Sequence, residues 1–345
     1  MIPIQNIYYM LSYAFQVLNE QGYKNIATEQ FHNTAELMAA ILEKGIAIQL
    51  KRGLGKEYIP QTEALSSLRG KIDIAESIKT QSMLRKQLIC TYDEFSVNSI
   101  MNRIIKSTVE LLLRSNISKQ RKKNLRKLMV YFSEVDFIDS YTVNWNVQYN
   151  RNNQTYRMLI SICYLVVKGL LQTQSNGHTE LMDFLDEQRM CRLYEKFILE
   201  YYRKEFKNQI TANASQIPWQ LDNEENSMLS VMQSDIMLQS GEKVLIIDAK
   251  YYEHSTQVQF DKHTLHSGNL YQIFTYVKNK EYELREKDHT VSGMLLYAKT
   301  DEEIYPNNVY QMSGNQIAVR TLDLNLPFDE IASQLNTIAK THFDL

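Results

Sequence analysis

The fold of this chain is decided by one stretch of its C-terminal half, which reads Ser234-Asp235-Ile236-Met237-Leu238-Gln239-Ser240-Gly241-Glu242-Lys243-Val244-Leu245-Ile246-Ile247-Asp248-Ala249-Lys250. Two apolar segments flank Gly241-Glu242, and glycine at the first central position favours a two-residue type II′ hairpin turn. Such a turn fixes the register of the strands. Asp235 and Asp248 lie equally far from the turn, so they are predicted to face each other with Cβ atoms about 5 Å apart.

Two carboxylates that face each other across a hairpin repel. Asp248 also follows the apolar run Val244–Ile247, where an uncompensated charge is costly. A divalent cation between the carboxylates would relieve both penalties. Lys250 points to the same sheet face as Asp248. Oxygen ligands from few protein groups suit Mg²⁺, with Mn²⁺ as the alternative ion. The competing interpretation is a surface hairpin with an ordinary Asp248–Lys250 salt bridge.

Two further segments add polar residues at helical spacing. Gln272 and Tyr276 are four residues apart in Gln272-Ile273-Phe274-Thr275-Tyr276, so they share a helix face. Glu195 lies in Leu193-Tyr194-Glu195-Lys196-Phe197. Taken alone, these three residues would be ordinary members of a helix surface or core.

Together the segments resemble the PD-(D/E)xK nuclease superfamily, with Ser234-Asp235, then Asp248-Ala249-Lys250, and a QxxxY helix. The sequence departs from the superfamily at Ser234, where proline is frequent. The resemblance implies metal binding by Asp235, Asp248, the Ala249 carbonyl and Glu195. It implies that Lys250 orients the attacking water or stabilises the phosphate. It also implies that Gln272 supports the site and that Tyr276 packs behind it.

The N-terminal half narrows the resemblance to one family. The segments that carry it are Leu68-Arg69-Gly70-Lys71-Ile72-Asp73, Tyr92-Asp93-Glu94-Phe95-Ser96-Val97-Asn98 and Asn102-Arg103. They resemble McrC, the nuclease subunit of McrBC systems that restrict DNA with modified cytosine, and the likeness covers nearly the whole chain. The resemblance implies an endodeoxyribonuclease that acts on double-stranded DNA.

McrC-like proteins depend on McrB, an AAA+ GTPase that forms a hexameric ring, and stimulate its GTP hydrolysis. Gly55-Lys56 lacks the upstream glycine and the following Ser/Thr of a phosphate-binding loop, so we expect no nucleotide on this chain. The region Tyr58–Ile74 is the candidate contact with the ring. Its alternative is a plain β subdomain.

Two other functions remain open from the sequence. One is a self-sufficient PD-(D/E)xK nuclease of DNA repair or recombination, against which the McrC-like N-terminal half argues. The other is a non-catalytic regulator of an AAA+ ring, against which the intact set of Asp235, Asp248 and Lys250 argues.

The sequence predicts a cytoplasmic protein. The three cysteines are far apart and follow no zinc or disulfide spacing. We find neither a signal peptide nor an apolar run long enough to span a bilayer. The formal net charge of −2 excludes a generally basic surface, so any nucleic-acid contact must be local.

The order of predicted elements indicates an α/β (α+β) fold. We expect a mostly helical N-terminal domain with a small β region over residues 1–155. A nuclease domain with a mixed sheet flanked by helices is expected over residues 156–345. The expected nuclease strands include Met228 to Leu238, Lys243 to Tyr252 and Thr290 to Lys299.

A basic cluster lies in the first half of the chain, at Arg114, Lys119, Arg121, Lys122, Lys123, Arg126 and Lys127. Such runs are ordinarily solvated helix faces. A contact with the DNA backbone or with an acidic partner is the alternative.

Overall fold

The computed structural model describes residues 2–19, 23, 26, 29–139, 142–151, 153–175, 187–223, 228–252, 257–259, 262–299 and 305–345. It divides the chain into two compact units, one of residues 1–30 and 184–345 and one of residues 31–183. We call them the sheet unit and the helical unit.

The elements alternate between helices and strands along the chain. The helices are α1 (Ile4–Ala14), α2 (Thr34–Arg52), α3 (Ile74–Lys79), α4 (Ile100–Arg114), α5 (Lys119–Met129), α6 (Tyr156–Ser175), α7 (Glu187–Glu205), α8 (Ser267–Glu283) and α9 (Phe328–Phe343). The strands are β1 (Glu57–Leu65), β2 (Lys71–Asp73), β3 (Leu88–Ser96), β4 (Thr211–Asn213), β5 (Gln216–Ile217), β6 (Met232–Gln233), β7 (Ile236–Ser240), β8 (Lys243–Lys250), β9 (Gln257–Gln259), β10 (Lys262–Thr264), β11 (Thr290–Ala298), β12 (Asn308–Met312) and β13 (Asn315–Leu322). Short 3-10 helices cover Gln16–Asn19, Ser82–Arg85 and Val130–Phe132.

The sheet unit is built on a mixed six-stranded sheet in the order β12-β13-β11-β8-β7-β4. The pairs β8–β11 and β11–β13 are parallel, and the outer pairs are antiparallel. Central parallel strands are covered on both faces, so they form continuous apolar runs. In β8 every residue between its two ends is buried. The predicted α/β class is therefore confirmed.

The register predicted for the hairpin is confirmed. Ser240 pairs with Lys243 and Ile236 pairs with Ile247, so the loop contains only Gly241-Glu242. Gly241 has a φ of +56°, whereas Glu242 is not among the residues with positive φ. That combination is the backbone pattern of a type II′ turn.

Helices cover both faces of this sheet. On one face, Ile273 and Val277 of α8 pack into a core with Ile246, Leu295 and other strand residues. The side chains of alternate strand residues point to the opposite face. There α7 contacts β7 and β8, and α9 contacts β13. This second layer is tied together by hydrogen bonds from the Tyr201 and Tyr202 hydroxyls of α7 to carbonyls of α9.

The helical unit combines α2, α4, α5 and α6 with the antiparallel sheet β1-β3-β2. A buried network joins its parts. The Tyr156 hydroxyl donates to Asn102 Oδ1 at 2.8 Å and accepts from Gly55 N at 2.7 Å. Asn102 Nδ2 in turn donates to the carbonyls of Gly55 and Val97.

The motif residues of the N-terminal half have structural roles in this unit. Gly70 has a φ of +70°, and a Cβ there would lie 2.3 Å from the Thr91 carbonyl oxygen. Only glycine therefore fits where β2 approaches β3. The Arg69 guanidinium lies 4.1 Å from the Tyr92 ring centroid.

The structure divides the chain elsewhere than at the predicted boundary of residue 155. The first 30 residues join the sheet unit because α1 packs on α7, where the Tyr13 ring contacts Phe197 and Tyr201. Helix α6 joins the helical unit through the Tyr156 network. These contacts join residues far apart in sequence, which local patterns do not reveal.

Two strand predictions need correction. The single strand expected over Met228 to Leu238 is instead β6 and β7, separated by Ser234 and Asp235. Strands β12 and β13 were not predicted, although β13 is the parallel neighbour of β11. Among the described residues, no helix has both the length and the apolar character needed to cross a bilayer.

The contact between α8 and β11 can be tested at Gly293. A Cβ there would lie 2.8 Å from Ile273 Cγ1 and 2.9 Å from Val277 Cγ2, both on fully buried side chains. Overpacking of this kind costs about 1–3 kcal/mol. We expect Gly293→Ala to lower the free energy of unfolding, measured by urea denaturation, by about 2 kcal/mol.

Gly268→Ala is the matched control, because the added Cβ meets no atom within 4 Å at the start of α8. Alanine favours helix over glycine, so this variant should be at least as stable as the wild type. Equal unfolding midpoints for the two variants would contradict the packing.

Candidate active site

The two aspartates lie where the hairpin strands reach the edge of the core. Asp248 is on β8 and only 1% exposed, and Asp235 immediately precedes β7 and is half-buried. The register of β7 and β8 places them opposite each other, as predicted. Helix α8 covers the sheet face that carries them. Asp248 is separated by even numbers of residues from Val244 and Ile246, which pack against α8, so all three side chains point to that face.

The main chain of Ala249 joins the two aspartates. Its N–H donates to Asp235 Oδ2 at 3.0 Å. The N–H and C=O of one strand residue point to the same side of the strand, so the Ala249 carbonyl also points towards Asp235. The Cys191 Sγ of α7 lies 3.9 Å from that carbonyl oxygen.

Lys250 completes the cluster and links it to α8. Its Nζ lies 2.9 Å from Asp248 Oδ2 and donates to Gln272 Oε1 at 3.4 Å. Gln272 Nε2 donates to the Tyr276 hydroxyl at 2.9 Å. The structure thus brings Gln272 and Tyr276 onto one helix face and connects them with Lys250.

Glu195 approaches from α7, where it accepts a hydrogen bond from Cys191 Sγ at 3.0 Å. Sequence reasoning treated Cys191 only as a free thiol. The available signal was its spacing of four residues from Glu195, which places both on one helix face. The thiol lies between the Glu195 carboxyl and the Ala249 carbonyl.

The hydrogen bonds of Ser234 explain why this chain lacks the proline often found before the first aspartate. Its N–H donates to the Ser215 carbonyl at 3.0 Å, and its hydroxyl donates to the same oxygen at 3.1 Å. Proline has no N–H and would lose the first of these bonds. Ser234 is buried, so the lost bond would be costly here.

The electrostatics of the cluster favour a cation. Burial and the neighbouring carboxylates of Asp248 and Glu195 raise the pKa of Asp235 to about 8. Burial also raises the pKa of Asp248, although Lys250 opposes this, and burial raises the pKa of Glu195. Burial lowers the pKa of Lys250, but Asp248 outweighs this effect and the pKa is raised. One ammonium therefore faces several carboxyl groups.

The residues fit a Mg²⁺ ion held by few protein ligands. Asp248 Oδ2 is buried, and the Lys250 ammonium pairs with it at 2.9 Å. The described residues contain no group of three or more His, Cys, Asp or Glu side chains arranged for a metal. Mg²⁺ commonly uses only one or two carboxylates and fills its remaining positions with water and phosphate. Asp235, Asp248 and the Ala249 carbonyl meet that need.

A cavity of about 870 Å³ lies elsewhere in the sheet unit, lined by residues that include Lys243, Arg320 and His342. None of the seven predicted site residues lines it. Lys243 is at the opposite end of β8 from Asp248. The carboxylate cluster thus lies outside this cavity, at the other end of the strand.

An α/β protein with opposed aspartates and a lysine on a mixed sheet is the class that the fold and the cluster define. The chain matches the model of the family described as McrBC 5-methylcytosine restriction system component over residues 5–298. It belongs to that family, and the family predicted from its motifs is confirmed.

A relative of similar length agrees with this membership. The chain is 30% identical to the Type IV methyl-directed restriction enzyme EcoKMcrBC of Escherichia coli (strain K12) over 342 residues, which cover 97% of this chain and 96% of the relative. It is also similar to a chain in a half-complex from the tetradecameric assembly of Thermococcus gammatolerans McrB AAA+ hexamers with bound McrC. That similarity has 18% identity, a TM-score of 0.49 and coverage of 97% of this chain and 76% of that chain. A cryo-EM structure of the Thermococcus gammatolerans McrBC complex matches with 21% identity, a TM-score of 0.42 and coverage of 59% of both chains.

The raised pKa of Asp235 predicts a pH-dependent stability. A carboxyl whose pKa rises from 3.8 to about 8 on folding stabilises the fold fully below the lower value. This contribution is lost as the pH rises through the higher value. Asparagine does not ionise, so the Asp235→Asn variant should not lose this stability as the pH rises. In EDTA near pH 8, we expect the melting temperature of Asp235→Asn to exceed that of the wild type by roughly 2–4 °C. A difference of about 1 kcal/mol in the free energy of unfolding produces a shift of this size.

The difference in melting temperature between the variant and the wild type should shrink towards pH 4. It should also shrink when Mg²⁺ is added at high pH, because the ion stabilises only the wild-type pair. Thermal unfolding followed by circular dichroism measures both effects. A melting-temperature difference that is the same at every pH would show that repulsion within the cluster is absent.

Proposed function

We propose that this chain is the Mg²⁺-dependent DNA endonuclease subunit of a McrBC-like restriction system. The observation that carries the proposal is the juxtaposition of Asp235, Asp248 and Lys250 at one point of the sheet. A protein that only binds a partner gains nothing from opposed buried carboxylates, which repel each other. A phosphodiesterase gains a metal site from them.

The metal would be held by Asp235, Asp248 and the Ala249 carbonyl. When bound, Mg²⁺ supplies a water of lowered pKa and neutralises charge on the scissile phosphate. The Asp235 carboxylate is held in place by the Ala249 N–H. Glu195 stays a proposed additional ligand, and its carboxyl is held by the Cys191 thiol, which also contacts the Ala249 carbonyl.

Lys250 supplies the positive charge that the protein itself brings to the phosphate. Its ammonium pairs with Asp248 and is oriented by Gln272, which is oriented in turn by Tyr276. An ammonium held in this way stabilises the extra negative charge of the pentacovalent phosphate or orients the attacking water. Gln272 and Tyr276 are therefore proposed as positioning residues.

The proposed partner is a McrB-like AAA+ GTPase ring, because the chain belongs to the McrBC restriction-system family and its motifs resemble McrC, which acts with such a ring. We propose that this chain stimulates GTP hydrolysis by the ring and cuts double-stranded DNA that contains modified cytosine. The region from Tyr58 to Ile74 is the candidate contact. Tyr58 is 72% exposed, and its ring centroid lies 5.0 Å from that of Phe95, which is 55% exposed. Exposed apolar groups of this kind mark protein interfaces.

A cleavage assay tests the proposal. Plasmid DNA with modified cytosine is incubated with the chain, Mg²⁺, the partner ring and GTP. We expect Asp248→Asn and Lys250→Met each to reduce the cleavage rate by about 100-fold or more, because each removes charge at the reacting phosphate. Their stimulation of GTP hydrolysis should equal that of the wild type.

Asp288→Asn is the matched control, because this aspartate is exposed and lies outside the cluster. It should cleave at the wild-type rate. Cleavage by the wild type without the ring or GTP would favour a self-sufficient nuclease. If the wild type stimulates the GTPase but never cleaves, the chain is a regulator and the proposed activity is wrong.

A further inference from the structure

Helix α5 has two faces of different character, and the first anchors it to α2. Arg121 forms ion pairs with Glu43 at 2.8 Å and with Glu36 at 3.4 Å. Asn124 donates to Glu43, and Leu125 is fully buried. These contacts fix the orientation of the helix within the helical unit, so its opposite face is fixed as well.

The second face carries a cation at every position of one helical stripe. We call it the basic stripe, and it consists of Lys119, Lys122, Lys123, Arg126 and Lys127. Four of these residues are exposed, and Lys122 is half-exposed. Within the part of the chain that the structure describes, none of the five forms an ion pair.

The basic stripe does not stabilise its own helix. Like charges three and four residues apart repel, and the stripe contains such pairs along its whole length. The first turn of α5 has no acidic residue and carries Lys119 and Arg121, at the helix end where cations are unfavourable. Solvated helix faces usually mix the two signs of charge. An anionic ligand would remove this repulsion.

Neighbouring structure extends the positive surface. Lys44 of α2 is exposed and lines the same shallow cavity of about 320 Å³ as Lys127. The acidic residue of that cavity, Glu43, is already paired with Arg121. The concentration of charge is specific to this place, because the whole chain has a formal net charge of −2.

We propose that the basic stripe binds the phosphate backbone of duplex DNA. From Lys119 to Lys127 the helix rises about 12 Å, a length over which one DNA strand places three to four phosphates. The stripe consists of Lys and Arg, two residue types that commonly contact phosphate, whereas protein interfaces have aromatic anchors at their centre. The choice of DNA rests on the proposed function, but the binding itself is independent of cleavage.

The test measures binding without cleavage. A short unmodified duplex is titrated with the full chain in EDTA over a series of salt concentrations, and fluorescence anisotropy gives the affinity. The triple variant Lys122→Gln, Lys123→Gln, Arg126→Gln keeps residues that favour helix. We expect its plot of log affinity against log salt to be less steep by about 3, and its affinity at low salt to fall at least about tenfold.

Two further variants serve as controls. Lys51→Gln, Lys207→Gln, Lys287→Gln removes the same charge at exposed positions elsewhere and should keep the wild-type slope. The variant Lys122→Arg, Lys123→Arg, Arg126→Lys keeps the charge of the stripe and should also keep the slope. Thermal unfolding shows that each variant is folded.

Three results would overturn the inference. The first is failure of the wild type to bind the duplex. The second is an equal loss of slope in both charge-removing variants. The third is loss of polyglutamate binding by the stripe variant while its duplex binding is unchanged. The last would assign the stripe to an acidic protein, for which the exposed Val130 and Tyr131 beyond the helix would serve as apolar contacts. If the slope changes as expected but plasmid is never cut, the proposed nuclease function fails and the DNA contact stands.

Discussion

The register of one hairpin is the constraint on which the candidate site depends. A two-residue turn with a positive φ at Gly241 leaves β7 and β8 one way to pair. A shift of one residue would turn every side chain to the other face of the sheet, and the buried strand residues forbid it. Asp235 and Asp248 are therefore held opposite each other, where two ionised carboxylates would repel. The fold accepts this repulsion at a point where a divalent cation would convert it into attraction.

Helices α8 and α7 bring further polar groups to this pair of aspartates from two sides. Helix α8 packs on β11 and β8 and brings Gln272 within reach of Lys250. Helix α7 packs on β7 and β8 and brings Glu195 and Cys191 to the Ala249 carbonyl. Both helices rest on buried strands of the sheet, so their polar groups are positioned by rigid elements rather than by loops. This rigidity is what a site needs when it must hold reacting groups in a fixed geometry.

Local chemistry explains what was predictable from the sequence. The turn at Gly241-Glu242 fixes its own register, and residues four apart on a helix share a face, so the opposed aspartates and the Gln272–Tyr276 pair were accessible. The place of Cys191 was not, because it depends on how α7 meets the end of β8. The contact of α1 with α7 was not predictable for the same reason, since it joins residues far apart in the sequence. Strand β13 was not predicted either, because its place inside the sheet depends on its parallel pairing with β11.

The presence of a metal between the two aspartates is tested most directly by anomalous diffraction from crystals of the full chain soaked in Mn²⁺. We expect an anomalous peak between the Asp235 and Asp248 carboxylates, next to the Ala249 carbonyl oxygen, that disappears in Asp248→Asn crystals. A peak confined to other residues, or no peak while Lys250 remains paired with Asp248, would contradict it.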